Sequence, residues 1–286
     1  MGKYIDLHTH SNKSDGSMTP LELVRHAKQA GLAAISLTDH DCIDGVKQAV
    51  CEGERIGLEV VPGIEFSAKS ETETHILGYY IDVDNEDILC NLSEIKRVRI
   101  ERTAQTSKLL KELGFDVSVQ EVLEIAPGGI VGRAHFARVM ANKGYVSSVK
   151  EGFDKYLANG KPAYSNRQHL SASQAIRLIK GAGGLAFAAH LHLMRKTDEE
   201  LFEFLSRMKE EGLDGIEGYY TDYTPEMQEK YQALAKRLEL LISGGSDFHA
   251  QMKPHIRIGT GYGNMKIPYS VLDRIKKEKE LIDNGK

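Results

Sequence analysis

The chain has 286 residues with no Trp, three Cys, 41% apolar and 27% charged residues. That composition excludes a disordered or low-complexity protein, and the length suits one large α/β unit or two smaller ones. A formal net charge of −4 argues against a nucleic-acid coat or a membrane-surface binder.

Short apolar runs alternate with amphipathic segments along the chain. Residues 4–7, 33–37, 60–64, 75–81, 185–189, 215–220 and 240–243 are too short for helices, several are rich in Ile, Val or Tyr, and they read as buried strands. Between the first two runs, Thr19 is placed as an N-cap, Pro20 at the first helical position and Glu22 at the third, with Leu21, Leu23, Val24 and Ala27 behind them. Gly31 suits the C-terminal cap of that helix. Residues 172–180, 199–211 and 225–237 follow the same logic, the second closing at Gly212 and the third capped by Thr224. Strand–helix alternation of this kind predicts parallel strands joined by right-handed crossovers, in a barrel or a doubly wound sheet.

Residues 86–165 break the alternation. Helical patterns at 95–113, 119–124, 134–142 and 149–159 follow one another, and we read them as an insertion between the fourth and fifth strands. The segment 91–170 is also basic, with thirteen Lys/Arg against eight Asp/Glu, so it nets +5 and leaves −9 for the rest. The last twelve residues, IKKEKELIDNGK, read as an exposed, charged helix end.

Cys42, Cys51 and Cys90 are odd in number and form no C-x-x-C pair, which favours a reducing compartment. The opening MGKYIDLHTH has no apolar signal region, and no stretch approaches the roughly 18 apolar residues of a membrane span. A cytoplasmic protein without a membrane partner is expected.

The informative residues are the metal-type side chains at strand ends. Asp6-Leu7-His8-Thr9-His10 ends the first run, and residues two apart on an extended segment face one side, so His8 and His10 can converge on one ion. Asp15 follows in a Ser-Asp-Gly turn. His40 lies at the end of the second run, Glu65 at the third, His75 beside the fourth, His190 at the fifth, and Asp247 and His249 at the seventh. One histidine at a strand end is ordinarily a satisfied polar group; placements at six strand ends are what a barrel-type active site requires. Mixed imidazole and carboxylate donors suit Mn²⁺, Zn²⁺ or Fe²⁺, and nine donors are too many for one ion and about right for three. Glu65 can bridge two cations, which a neutral histidine cannot. His26 and His169 read as structural or solvated, and His255 is unassigned. No phosphate-cradling G-x-x-x-x-G-K-[ST] occurs, which disfavours ATP-driven chemistry.

The motifs DLHTHSNKSDGSMTP, SLTDHDCIDGV, VPGIEFSA, HILGYYID, FAAH and SGGSDFH, in this order, resemble the PHP (polymerase and histidinol phosphatase) superfamily of metal-dependent phosphoesterases. The resemblance implies an α/β fold, a distorted (β/α)7 TIM-like barrel formed by residues 1–85 and 166–286, with residues 86–165 as a helical, substrate-capping insertion subdomain. It implies three divalent metal ions per chain, Mn²⁺ foremost, with Zn²⁺ or Fe²⁺ as alternatives. His8, His10, Glu65 and Asp247 would hold the first ion, Glu65, His75 and His190 the second, and Asp15, His40 and His249 the third. One departure is that the family usually follows the fifth-strand histidine with Pro, where this chain has Leu191; it leaves the role of His192 open.

Within the insertion, Gly132-Arg133-Ala134-His135 opens a helix and Gly160-Lys161-Pro162-Ala163-Tyr164 returns the chain to the barrel. Arg offers phosphate a bidentate fork, Lys a point charge, and a helix N-terminus favours anions. Arg133, His135 and Lys161 are therefore candidate phosphate ligands. The same pair of segments resembles a branch of the superfamily that removes the 3′-phosphate of 3′,5′-bisphosphonucleotides or trims short 5′-phosphorylated oligonucleotides. That resemblance implies that these three residues hold the phosphate that is not cleaved. The expected partner is a small phosphorylated substrate, not an extended duplex, and the oligomeric state is left open.

The expected chemistry is phosphoester hydrolysis by a water activated between two ions, with Arg133 helping to neutralise developing charge and His192 or His249 protonating the leaving group. Two readings compete with it. One is a phosphatase for another small metabolite such as histidinol phosphate, and the other is a noncatalytic metal-binding regulatory module.

Overall fold

A computed structural model describes residues 2–70, 72–126, 131–165 and 170–285 of the chain. His169 lies outside the described residues. The chain divides into two compact units, one made of Met1–Cys90 with His169–Lys286 and the other of Asn91–Gln168.

The first unit is a nearly closed eight-stranded barrel wrapped by helices. Its strands are β1 (Tyr4–Thr9), β2 (Ala34–Leu37), β3 (Glu59–Ser67), β4 (His75–Tyr79), β5 (Leu185–Ala188), β6 (Leu213–Tyr220), β7 (Leu241–Gly245) and the two-residue β8 (Ile267–Pro268). They pair in the order β7-β6-β5-β4-β3-β2-β1-β8. The barrel closes where the segment after β7 meets β1: the Asp247 N–H donates to the His8 carbonyl and the His10 N–H to the Phe248 carbonyl, both at 2.9 Å.

The strands are not uniformly parallel, as the alternation had suggested. β4 runs antiparallel to both β3 and β5. The link from β3 to β4 is too short for a crossover helix, which takes about a dozen residues, so β4 must return beside β3 as a hairpin. β5, β6 and β7 then continue in parallel.

The barrel helices are α1 (Pro20–Gln29), α2 (Val46–Ile56), the start of α3 (Glu86–Glu112), α7 (Ala172–Gly181), α8 (Asp198–Glu210), α9 (Pro225–Arg237) and α10 (Ser270–Asn284). The Thr19 hydroxyl accepts from the Glu22 N–H and the Glu22 carboxylate accepts from the Thr19 N–H, so α1 starts with the capping box that its sequence announces. α2 was not apparent from the sequence. Its N-cap Gly45 makes no side-chain cap bond, and one of its inward positions is the charged Glu52, buried between Arg25 and Arg55. α10 buries Val271, Leu272 and Ile275 at its start, in the core with Ile5, Leu7 and Ile267, while its last turns, past Ile275, are the charged, largely exposed helix end expected.

The second unit is helical. It contains most of α3, then α4 (Val119–Glu124), α5 (Arg133–Asn142) and α6 (Val149–Gly152), which runs on into a widened turn at Phe153–Leu157. Leu110, Val122, Phe136, Met140 and Leu157 form its core. Among the described residues, no helix is long and apolar enough to cross a membrane.

Candidate metal centre

The nine residues singled out at the strand ends converge at one end of the barrel. Glu65, fully buried on β3, is the hub. Its Oε2 lies 3.1 Å from His8 Nε2, 3.2 Å from His10 Nε2 and 3.2 Å from His40 Nδ1. Its Oε1 lies 2.8 Å from His75 Nδ1 and 3.0 Å from His190 Nε2. The two oxygens of one carboxylate thus serve two sets of imidazoles, as a bridge between two cations would. Asp247 Oδ1 adds to the first set, 3.1 Å from His10 Nε2 and 3.6 Å from His8 Nε2. On the outer side, Asp15 Oδ1 lies 3.1 Å from His249 Nε2 and Asp15 Oδ2 3.8 Å from His40 Nε2. His10, Asp15, His40 and His249 can bring four donor atoms within 4.8 Å of one another.

The backbone is bent to achieve this. Asp41, His190 and Asp247 follow strand ends with φ of 48°, 26° and 55°, in a region that non-glycine residues avoid. Strand-to-strand bonds hold two of these turns, from Asp247 N–H to the His8 carbonyl and from Asp41 N–H to the Glu65 carbonyl, each at 2.9 Å.

Packing so many imidazoles and carboxylates together sets their charge states. Burial alone would raise the Glu65 carboxyl, but the charges of His40, His8 and His75 hold it well below the usual carboxylate range. Burial likewise opposes charge on His10, yet the adjacent Asp247 and Glu65 carboxylates lift it to about 9. For His40 burial wins and its pKa falls to about 3. His10 Nε2 and His40 Nδ1 are buried beside Glu65 Oε2 and make no hydrogen bond of acceptable geometry. Orphaned imidazole nitrogens aimed at a carboxylate are what divalent cations would satisfy, and the imidazole–carboxylate donor set fits such ions.

The supporting residues were the part that sequence inspection missed. Glu217 on β6 places Oε1 2.9 Å from His8 Nδ1 and accepts the His190 N–H on Oε2 at 2.6 Å. Asp6 accepts from the Ser246 and Gly259 N–H groups at 2.8 and 2.7 Å, tying β1 to the β7 end. Asp39 accepts from the Ser11 N–H at 2.8 Å and its hydroxyl at 2.6 Å, bracing the loop that carries Asp15. Asp247 Oδ2 is held by the Tyr220 hydroxyl at 2.8 Å and Lys253 Nζ at 2.6 Å. Glu73 can join His75 and His190 in a further donor group. A signal did exist for Glu217, since it is an acidic residue inside a strand and its near neighbours, Gly215, Ile216, Gly218 and Tyr219, are apolar or Gly.

The Leu191 departure has a structural reason. Its N–H donates to the Tyr223 hydroxyl at 2.8 Å, a bond that proline could not make. His192 lies next to this turn, with Tyr220 and Tyr223 rings each 5.5 Å away and Nε2 4.0 Å from Asp222 Oδ2. It is not part of the nine-residue cluster.

In the helical unit, the Arg133 guanidinium lies over the rings of Phe153 at 5.2 Å and Tyr164 at 5.4 Å, and donates to the Leu157 carbonyl at 3.3 Å. His135 Nδ1 accepts the Gly132 N–H at 2.9 Å, closing the first turn of α5. Lys161 is exposed in the turn leading to Tyr164. Arg133 is thus positioned by aromatic faces, while Lys161 is a surface charge.

Known proteins resemble this chain over most of its length. The PHP domain family matches residues 6–255. The chain is 34% identical over 261 residues to the 5′-3′ exoribonuclease Rnm of Escherichia coli, covering 89% of this chain and 87% of that one. It is 33% identical over 248 residues to the 3′,5′-nucleoside bisphosphate phosphatase of Chromobacterium violaceum, covering 86% and 87%. Among solved structures, a protein of Bifidobacterium adolescentis assigned as a metal-dependent phosphoesterase superposes with a TM-score of 0.78 at 29% identity, covering 96% and 95% of the two chains.

Proposed function

The chain belongs to the PHP family, and from that premise we propose that it is a metal-dependent hydrolase of nucleotide phosphate esters. Its substrates on this reading are 3′,5′-bisphosphonucleotides, which lose the 3′-phosphate, and short 5′-phosphorylated oligonucleotides. The observation that carries the reading is Glu65, whose two oxygens each serve a separate set of imidazoles.

In this account three divalent cations, with Mn²⁺ the leading candidate and Zn²⁺ or Fe²⁺ next, are held by the nine residues. His8, His10, Glu65 and Asp247 hold one, Glu65, His75 and His190 another, and Asp15, His40 and His249 the third. When bound, such ions supply Lewis acidity at the phosphoryl oxygens and lower the proton affinity of water. The protein's part is orientation and charge. Glu217 accepts a proton-bearing His8 Nδ1 and so leaves Nε2 as the donor toward the centre. Arg133, His135 and Lys161 receive the phosphate that is not cleaved, Arg133 through its planar fork. His192 lies beside the strand-end cluster with Asp222 4.0 Å away, a place from which it would pass a proton to the leaving oxygen. The free cysteines Cys42, Cys51 and Cys90 fit a cytoplasmic setting.

A substrate panel assayed with Mn²⁺ tests the reading. Phosphate release from adenosine 3′,5′-bisphosphate should exceed release from histidinol phosphate, and short 5′-phosphorylated oligonucleotides should be shortened from the 5′ end. Preference for histidinol phosphate would replace the substrate, and a folded protein inert toward every phosphoester would replace the enzyme with a binding module.

A further inference from the structure

Beside the metal centre, on the Asp247 side, two loops of the barrel unit meet and present a tyrosine to solvent. The first is Thr221–Tyr223, directly after β6; the Thr221 hydroxyl donates to the Ser246 carbonyl at 2.7 Å, which ties this loop to the residue preceding Asp247. The second is the glycine-rich turn 259–263, in which Gly259, Gly261 and Gly263 all adopt positive φ. The turn seats on the first loop so closely that a Cβ on Gly261 would lie 2.8 Å from Thr221 Oγ1. Tyr262 follows Gly261. It is 54% exposed and, among the described residues, the one exposed aromatic side chain.

Partial burial and, after it, the charge of Asp222 push the Tyr262 pKa up. On its other side Asp222 faces His192, which packs beside Tyr220, whose hydroxyl holds Asp247. The Asp222 loop thus leads through His192 and Tyr220 to a residue of the metal centre.

The chemistry of this edge is the reverse of a phosphate site. A carboxylate accepts hydrogen bonds and repels phosphate, so the part of a ligand that faces Asp222 must offer donors and no negative charge. The free 2′-hydroxyl of a ribose does so. An exposed aromatic ring is a platform on which a flat heterocycle stacks. We propose that Tyr262 and Asp222 form the nucleoside-binding edge of the site, Tyr262 stacking the base and Asp222 accepting from the ribose 2′-hydroxyl, the one left free in a 3′,5′-bisphosphonucleotide. This rests on the nucleotide reading above and deepens it. Stacking reads no hydrogen-bond pattern, so the edge should tolerate any base.

Calorimetric binding of adenosine 5′-monophosphate and of ribose 5-phosphate to the Mn²⁺-loaded protein separates the contributions. The wild type should prefer the nucleotide over the sugar phosphate by on the order of tenfold or more. Tyr262→Ala should abolish most of that preference, Tyr262→Phe should keep most of it, and Asp222→Asn should weaken both ligands. A Tyr262→Ala protein that retains the full preference, while the wild type hydrolyses adenosine 3′,5′-bisphosphate, overturns the Tyr262 inference alone. A wild type that neither hydrolyses the bisphosphate nor distinguishes the two ligands overturns the nucleotide reading with it.

Discussion

Glu217 lies beneath His8, with Oε1 2.9 Å from His8 Nδ1 and Oε2 accepting the His190 N–H at 2.6 Å. A carboxylate that accepts from His8 Nδ1–H leaves Nε2, on the Glu65 side, as the nitrogen that would bind a cation. One buried residue thereby orients two members of the candidate centre. Glu217→Ala should weaken metal binding by about 10- to 100-fold, the usual effect of losing such a support. Glu217→Gln, which keeps an acceptor, should lose less. Competition with a chelating dye measures both, and equal affinities for wild type and Glu217→Ala would count against the orienting role.

Asp247 depends on a second support. Tyr220 and Lys253 both occupy Oδ2, which leaves Oδ1 facing His10 at 3.1 Å and His249 Nδ1 at 3.4 Å. A hydrogen bond to a charged group is worth about 1.5–3 kcal/mol. Tyr220→Phe should therefore reduce metal affinity roughly tenfold or more while Lys253 preserves the fold of the loop. Unchanged affinity would show that Lys253 alone positions the carboxylate.

Charge within the centre gives the chelator-treated protein a characteristic pH dependence. His10, raised from 6.5 to about 9, stabilises the fold fully below pH 6.5, and that contribution is lost as pH rises through 9. His8 and His75 are shifted upward and act in the same direction. His40 acts oppositely: with its pKa lowered from 6.5 to about 3, it costs stability as pH falls below 6.5. Glu65 and Asp247, both held low, add to the loss in acid. Thermal melts after chelation should therefore be highest close to neutrality and fall toward pH 9. Metal-loaded protein should not show the alkaline fall, because cations replace the protons. A melting temperature that climbs steadily from pH 6.5 to 9 after chelation would contradict this charge assignment.

Gly245 closes the barrel against β1. A Cβ there would lie 2.3 Å from both the backbone nitrogen and Cβ of His8, and backbone cannot yield as a flexible side chain can. Gly245→Ala should destabilise the protein by about 1–3 kcal/mol, as overpacking does, and displace His8. Denaturant unfolding and metal binding should both register the change; normal stability with normal metal affinity would mean that the β1–β7 seam is more plastic than its spacing indicates.

The sequence announced elements whose local signals agree with their packing. Thr19, Pro20 and Glu22 start α1 as their residue types require, and the strand-end histidines lie where barrel geometry brings them together. Three features were opaque for physical reasons. The antiparallel course of β4 follows from a short loop and leaves no mark in hydrophobic pattern. α2 is stabilised by packing and a buried Glu52 ion pair rather than by an N-terminal cap, so its start carried no signal. Glu217 and Tyr220 act through other side chains across the barrel, a long-range relationship that spacing along one strand does not encode.

The central claim is that the Glu65-centred cluster is a metal-loaded hydrolytic centre for nucleotide phosphoesters. The most direct test measures bound metal per chain alongside phosphate release from adenosine 3′,5′-bisphosphate, for the wild type, the chelated wild type and Glu65→Gln. The account predicts about three ions and turnover in the wild type, no turnover after chelation with recovery on adding Mn²⁺, and loss of both bound metal and turnover in Glu65→Gln. Undiminished turnover by the fully chelated protein, or by Glu65→Gln, would contradict it.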